Sequence, residues 1–257
     1  MSTPARIAHD GETWLSYRDT PWDERVFGFR CAEVIDLTAA TAEGLRALLA
    51  RFELEMRSRD VRLAYTRVDG GSALFKRGLQ EAGFYFAEAS YMVSHRHVRS
   101  TTVFDRLIRP GPQLVPAEPA HLDRLRSILQ NDFVHGRLHE DPYVPTGLAG
   151  LRYRGWLDDL IAQKREVFAY EFKGDVIGLH VQQRHDDTAD LILTGVTRSH
   201  ALLGLTLWAQ VMQLLRGQHV ERADSLISAA NVPILNLYRH FQFSFDRYLC
   251  GYHVRYD

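Results

Sequence analysis

The chain has 257 residues, 46% hydrophobic and 25% charged, which suits a globular protein of one large domain or two small ones. Its 31 lysines and arginines nearly cancel 32 aspartates and glutamates, a balance that argues against a nucleic-acid polymer as partner. No apolar run approaches the roughly 18 to 20 residues of a membrane-spanning helix, the opening MSTPARIAHDGE has no signal-peptide core, and Cys31 and Cys250 form no metal or redox spacing; a cytoplasmic protein without membrane attachment is expected.

A proline-rich stretch, RPGPQLVPAEP (109–119), marks the clearest boundary and divides the chain into 1–108 and 109–257. In the first part, 37–60 carries apolar residues at helical spacing, with Thr38 or Thr41 as N-cap. VRLAYTRV (61–68) reads as a strand, 73–84 as a helix ending near Gly83, and 85–93 as a strand. The second part opens with a strand and a helix in QLVPAEPAHLDRLRSILQNDF. A charged loop, HGRLHEDPYVP (135–145), then leads to an amphipathic helix in LAGLRYRGWLDDLIAQK. EVFAYEF and VIGLHVQQR form a hairpin through Lys173-Gly174-Asp175, and ADLILTGV (189–196) adds a third strand. A helix in ALLGLTLWAQVMQLLRGQ, a strand in ADSLISA, a helix in VPILNLYRHF and a closing strand in SFDRYLCGYHV complete the chain. The fold class expected is α/β (α+β), a central mixed sheet, mostly antiparallel, flanked by helices.

The two parts echo each other. An ungapped slide of 61–93 onto 220–252 puts strand on strand and helix on helix, with Val61 on Val220, Ala64 on Ala223, Phe84 on Phe243 and Phe86 on Phe245. A duplicated strand–helix–strand unit with a truncated leading half is the reading, against the alternative that any α/β chain yields such pairs.

Three local features carry chemistry. In LILTGVTRSHALLGLTLWAQ a strand runs into a helix whose unpaired N–H groups and dipole suit an anion; the alternative is an ordinary apolar packing joint. In NVPILNLYRHFQF, Asn231, Leu237, Tyr238 and Phe243 fall at the spacing N-x-x-A-x-x-L-Y-x-x-x-G-F, with Ile234 and Gln242 as departures. HGRLHEDP is a dense polar cluster. Were it helical, His135 and His139 would share a face as metal ligands sometimes do, but no third ligand stands at motif spacing and no metal is expected. Arg184-His185-Asp186-Asp187 reads as a solvated hairpin tip, and Trp22, Trp156 and Trp208 as core.

The element order over 112–257 and the Asn231–Phe243 pattern resemble the GNAT superfamily of N-acetyltransferases, with 1–108 as a smaller, partial GNAT-like domain ahead of the catalytic 109–257. The resemblance implies acetyl-CoA as cosubstrate, with no metal. Thr194, Gly195 and Val196 would hold its pantetheine, Leu203, Gly204, Leu205 and Thr206 its pyrophosphate, and Asn231 a further contact. The pyrophosphate motif departs from the family, with Ala201 at its Arg/Gln position and only Gly204 kept. Tyr238 would protonate the departing thiolate, the alternative being a buried core tyrosine; Leu79 stands opposite it in the repeat.

PWDERVFGF (21–29), HGRLHEDP (135–142) and LCGYH (249–253) together resemble the dTDP-fucosamine acetyltransferase group of sugar-nucleotide N-acetyltransferases. That implies a nucleotide-linked amino sugar, dTDP-linked by the resemblance, as acceptor, with His135, Arg137, His139, Glu140 and Asp141 on the acceptor side. A peptide or other small-molecule amine, and a degenerate CoA-binding protein without activity, are the competing readings. A free sheet edge at the closing strand would allow a homodimer.

Overall fold

The computed structural model describes residues 4–256. The chain forms two compact units, neither of them one continuous stretch. Unit 1 comprises residues 1–90, 136–148 and 247–257; unit 2 comprises 91–135 and 149–246.

Unit 1 begins with β1 (Ala5–Ala8) and β2 (Trp14–Asp19), a short helix α1 (Pro21–Phe27) and β3 (Arg30–Thr38). Helix α2 (Ala42–Ser58) starts where Thr41 caps it, its side chain accepting from the Gly44 N–H at 3.1 Å. One face of α2 buries Leu45, Leu48, Leu49, Phe52 and Met56, the helical repeat read from sequence. Strand β4 (Val61–Asp69) is buried on both faces, as parallel strands are, and α3 (Ala73–Glu81) leads to β5 (Tyr85–His95). The sheet is completed by the last strand of the chain, β11 (Ser244–Arg255), and its order is β1-β2-β3-β4-β11-β5. β11 therefore has a strand on either side. The free edge expected there for a second copy does not exist, because Leu249–Arg255 is paired antiparallel with Leu63–Asp69.

Unit 2 carries β6 (Gln113–Pro116), inside the proline-rich stretch, and the helices α4 (Leu122–Asn131) and α5 (Thr146–Ala162). The meander β7 (Glu166–Phe172), β8 (Asp175–His185) and β9 (Thr188–Val196) follows. Its first turn holds Lys173 and Gly174 at φ of 53° and 85°, the pair of positive values that a two-residue hairpin loop requires. Then come α6 (Gly204–Gly217), β10 (Arg222–Ser228) and α7 (Val232–His240). The sheet order is β5-β10-β9-β8-β7-β6. Trp208 and Tyr238 lie in the core on one face, and Leu125, Leu157 and Leu179 in the core on the other. Trp208 is fully buried, whereas Trp22 and Trp156, also expected in the core, are half-buried. Arg184–Asp187 is exposed at the β8–β9 turn.

The repeat holds down to single hydrogen bonds. α3 and α7 are both nine residues long and start at equivalent positions, Ala73 and Val232. Each is capped by its preceding residue, Ser72 accepting from Phe75 N and Asn231 from Ile234 N, both at 3.3 Å. Each is followed by a residue at positive φ, Gly83 at 81° and Gln242 at 60°, and each fourth strand is preceded by another, Asp60 at 54° and His219 at 62°. The pairing senses agree too: β1/β2 and β2/β3 are antiparallel and β3/β4 parallel, as are β7/β8, β8/β9 and β9/β10. Among the described residues, nothing in unit 1 corresponds to α4 and α5. In each unit the strand beside the fourth one comes from the other repeat, β11 next to β4 and β5 next to β10.

Candidate functional site

In unit 2 the parallel ladder of β9 and β10 runs only from Thr188/Arg222 to Leu191/Ser225. Beyond that pair, β9 continues through Val196 on β8 alone. The carbonyl of Leu191, where the ladder stops, accepts a hydrogen bond from Ser225 Oγ at 2.8 Å. One backbone edge of Thr194, Gly195 and Val196 is thus left without a strand partner at the mouth of a fork. Thr194 is fixed from the other strand by His180, which is fully buried: Nδ1 lies 2.8 Å from Thr194 Oγ1 and Nε2 2.8 Å from Gln182 Oε1. Gln182 donates its amide to Glu166 and Gln218, so its oxygen accepts from His180 Nε2–H and Nδ1 accepts from the threonine hydroxyl. Burial lowers the His180 pKa to about 4, and the ring is neutral at physiological pH.

Tyr238 is 3% exposed, with its ring edge-on to Trp208 and Phe243 at 4.6 and 4.7 Å. Ser225, the residue at which the ladder ends, is the side chain that interacts with its hydroxyl and partly offsets the effect of burial. Burial pushes the phenol pKa up, so the group stays protonated. Asn231 uses its side-chain oxygen to cap α7.

The helix that follows β9 starts later than its apolar pattern indicates. Arg198–Leu203 is a 3-10 turn with His200 off helical geometry, and α6 proper begins at Gly204 with no side-chain cap and no acid in its first turn. Leu202 is 97% exposed and Leu205 also faces outward, while Leu203 packs on the core. Thr206 does not face outward with the residues before it: it is buried and its hydroxyl donates to Leu107 O at 3.1 Å. His135, also in unit 2, accepts from Tyr153 Oη through its backbone carbonyl at 2.6 Å.

Unit 1 forks at the equivalent place. The β3/β4 ladder ends at Val34/Thr66, and Thr66 is the repeat counterpart of Ser225. Here the fork is polar. A cavity of about 100 Å³ is lined by Glu33, Tyr65, Arg67, Glu88, Arg137 and His253, among others. Arg137 stacks on the Tyr65 ring at 3.7 Å, and its Nη2 donates to Asp23 at 3.1 Å and to Tyr65 Oη at 3.0 Å. Tyr65 in turn donates to Asp23 at 2.7 Å, and Asp23 is fully buried. Glu88, 1% exposed, accepts from Arg67 and Ser90, and a Cβ at Gly251 would lie 2.7 Å from its side chain. His253 is 1% exposed, and its Nδ1 lies 2.6 Å from Asp141, which also accepts from Tyr85 Oη and Tyr143 N.

The three segments PWDERVFGF, HGRLHEDP and LCGYH thus meet in unit 1, as Asp23–Arg137 and Asp141–His253. The polar loop is not helical, so His135 and His139 gain no shared face; His139 N instead bonds Gly136 O at 2.9 Å. Glu140 accepts from Gly136 N, and Asp141, expected at the acceptor, is enclosed by its own partners. Tyr65, Glu33, Arg67 and Glu88 gave no signal in the sequence, since alternating polar residues on a strand look alike wherever they point. No cluster of metal-ligating side chains occurs among the described residues.

Neither a protein-family model nor a curated protein matches the sequence. Solved structures match the fold over nearly the whole chain. A GCN5-related N-acetyltransferase from Sphaerobacter thermophilus aligns with a TM-score of 0.66 at 11% identity, covering 95% of this chain and 76% of its own. A tandem GNAT protein from the clavulanic acid biosynthesis pathway gives 0.62 at 15%, covering 99% and 84%. A GCN5-related N-acetyltransferase from Kribbella flavida gives 0.63 at 9%, covering 99% and 91%. The chain has the GNAT fold.

Proposed function

We propose that unit 2 binds acetyl-CoA and transfers its acetyl group to the amine of a small molecule. The observation that carries this reading is the fork between β9 and β10, where the parallel ladder stops at Leu191/Ser225 and Ser225 interacts with the Tyr238 phenol. A parallel pair that opens after four positions leaves those backbone groups of the Thr194, Gly195 and Val196 stretch that point away from β8 free to orient a pantetheine arm. The start of α6, at Leu203–Thr206, has no side-chain cap, and its positive dipole end suits the pyrophosphate through backbone rather than side chains, although the Gly204 N–H is already bonded to Ala201 O. Asn231 belongs to the same reading by holding the start of α7, which carries Tyr238.

The chemistry is direct. The amine nitrogen attacks the thioester carbon, the carbonyl oxygen gains charge near the Val196 N–H, and the C–S bond breaks as Tyr238 delivers its proton to sulfur. The ammonium proton leaves to solvent or a nearby base, and the phenolate recovers a proton in the same exchange. No covalent acyl-enzyme is needed.

Unit 1 is a poor second acetyl-CoA site. Its α2 start is closed by the Thr41 side chain and bears Glu43 in the first turn, an arrangement that disfavours an anion; its fork is lined by charges, and Leu79 replaces the tyrosine. The domain reading that places catalysis in 109–257, behind a partial repeat in 1–108, is consistent with this asymmetry. For the acceptor we favour a nucleotide-linked amino sugar; the support is the resemblance carried by PWDERVFGF, HGRLHEDP and LCGYH.

The test is Tyr238→Phe, assayed by thiol release with a panel of dTDP- and UDP-amino sugars and by calorimetry with acetyl-CoA. Turnover is expected to fall about 100-fold or more, within the range for loss of a positioned acid, with affinity for acetyl-CoA nearly unchanged. Wild-type-like turnover removes Tyr238 from the mechanism, and no acetyl-CoA binding at millimolar concentration removes the transfer reading.

A further inference from the structure

The fork in unit 1 has the walls of a ligand site of its own. His253 lines the cavity while Asp141, itself buried, holds its Nδ1. Asp141 also accepts from Tyr85 Oη and Tyr143 N, three donors that keep it a carboxylate below the usual range. An ionised Asp141 fixes the proton of a neutral imidazole on Nδ1, so Nε2 carries the lone pair. Among the described residues Nε2 has no protein partner, and the cavity is the space it meets. A buried nitrogen of known tautomer, with its lone pair open to a cavity, is a built acceptor for a ligand's N–H.

The remaining lining agrees. Glu33 and Glu88 add carboxylate oxygens, paired with Arg18 and Arg67, so the wall offers acceptors for a ligand N–H without holding an unpaired charge. On the other wall Arg137 keeps Nη1 buried without a partner, a donor that a ligand oxygen would satisfy. At about 100 Å³ the space suits a head group of a few atoms; sites that enclose drug-sized ligands run to roughly 300 Å³ or more.

We propose that the unit 1 fork binds the head group of a small amino alcohol or amino acid, its amine donating to His253 Nε2 and its oxygen accepting from Arg137. The site goes beyond the transfer reading and does not depend on it. His253 acts as acceptor and Asp141 as the positioning residue that sets its tautomer.

Ethanolamine is the probe and ethylene glycol its amine-free control. Both are titrated into the full chain, without acetyl-CoA, while the ring nitrogens of His253 are followed by long-range ¹H–¹⁵N NMR. The expected result is an unprotonated Nε2 in the free protein, a saturable shift of that signal with ethanolamine, and none with ethylene glycol. Asp141→Asn, whose amide donates to Nδ1 and moves the ring proton to Nε2, should weaken ethanolamine by about tenfold, the worth of one hydrogen bond. Should that variant not fold, His253→Phe, followed by calorimetry, serves instead with the same expected loss. Equal response to both probes, or an Nε2 that is protonated in the free protein, overturns the proposal. Loss of acetyl-CoA binding has no bearing on it, because no step of the measurement uses the thioester.

Discussion

His180 turns the shape of the unit 2 fork into a pH-dependent quantity. Its folded pKa of about 4 lies below the ordinary 6.5, because burial of the ring penalises its charged form. The unfolded chain binds that proton below pH 6.5 and the folded chain does not. The stabilisation is therefore complete above pH 6.5 and is lost as pH falls toward 4, at about 1.4 kcal/mol per pH unit, for a total of about 3 kcal/mol. His180→Gln removes the titration while keeping a group able to bond Thr194. Hydrogen exchange of peptides spanning β8 and β9, corrected for intrinsic rates, reads the opening free energy of unit 2 at pH 7 and pH 4. The wild type should lose about 3 kcal/mol more than the variant across that interval. Parallel losses in the two proteins would refute the argument, and with it the assignment of His180 as a neutral strut behind the fork.

Other consequences are as direct. Asp23→Ala leaves the largely buried Arg137 without its counter-charge and should cost about 3 to 5 kcal/mol, measured by urea unfolding of unit 1. Gly178→Ala places a Cβ 2.5 Å from the Gly195 carbonyl oxygen, across the β8/β9 pair, and should destabilise unit 2 by about 1 to 3 kcal/mol. The thermal midpoint would fall and acetyl-CoA affinity with it. Leu202→Glu, at a 97% exposed position, should leave stability unchanged but set a negative charge beside the α6 start. Calorimetry should then show acetyl-CoA affinity reduced about two- to fivefold, less so at high salt.

The local elements were legible because their signals are local. The apolar repeat of Leu45, Leu48, Leu49, Phe52 and Met56 defines α2 whatever packs on it, Thr41 marks its start, and Lys173-Gly174 forces a turn through positive φ. The slide of one half on the other was also legible and survives at the level of caps: Ser72 and Asn231 do the same task with different side chains. β1, β2 and β3 were missed. Their buried positions, such as Leu15, Tyr17 and Val34, are few and interrupted by charge, and only their neighbours in the sheet make them strands.

What stayed out of reach was which distant residues become neighbours. Tyr238 was singled out by its spacing, but its burial against Trp208 and Phe243 depends on how the elements around it pack. Asp141 and His253 stand far apart in sequence, and neither has a local pattern that names the other. The amino-acid order determined most of the helices, the turns and the repeat. The tertiary structure alone decided that β11 joins β4 and β5 joins β10, that both parallel ladders open at equivalent residues, and that charged side chains line the fork in unit 1. The reason is physical: helix and turn propensities act within a few residues, whereas strand partners are chosen by the burial and hydrogen bonding of the whole sheet at once.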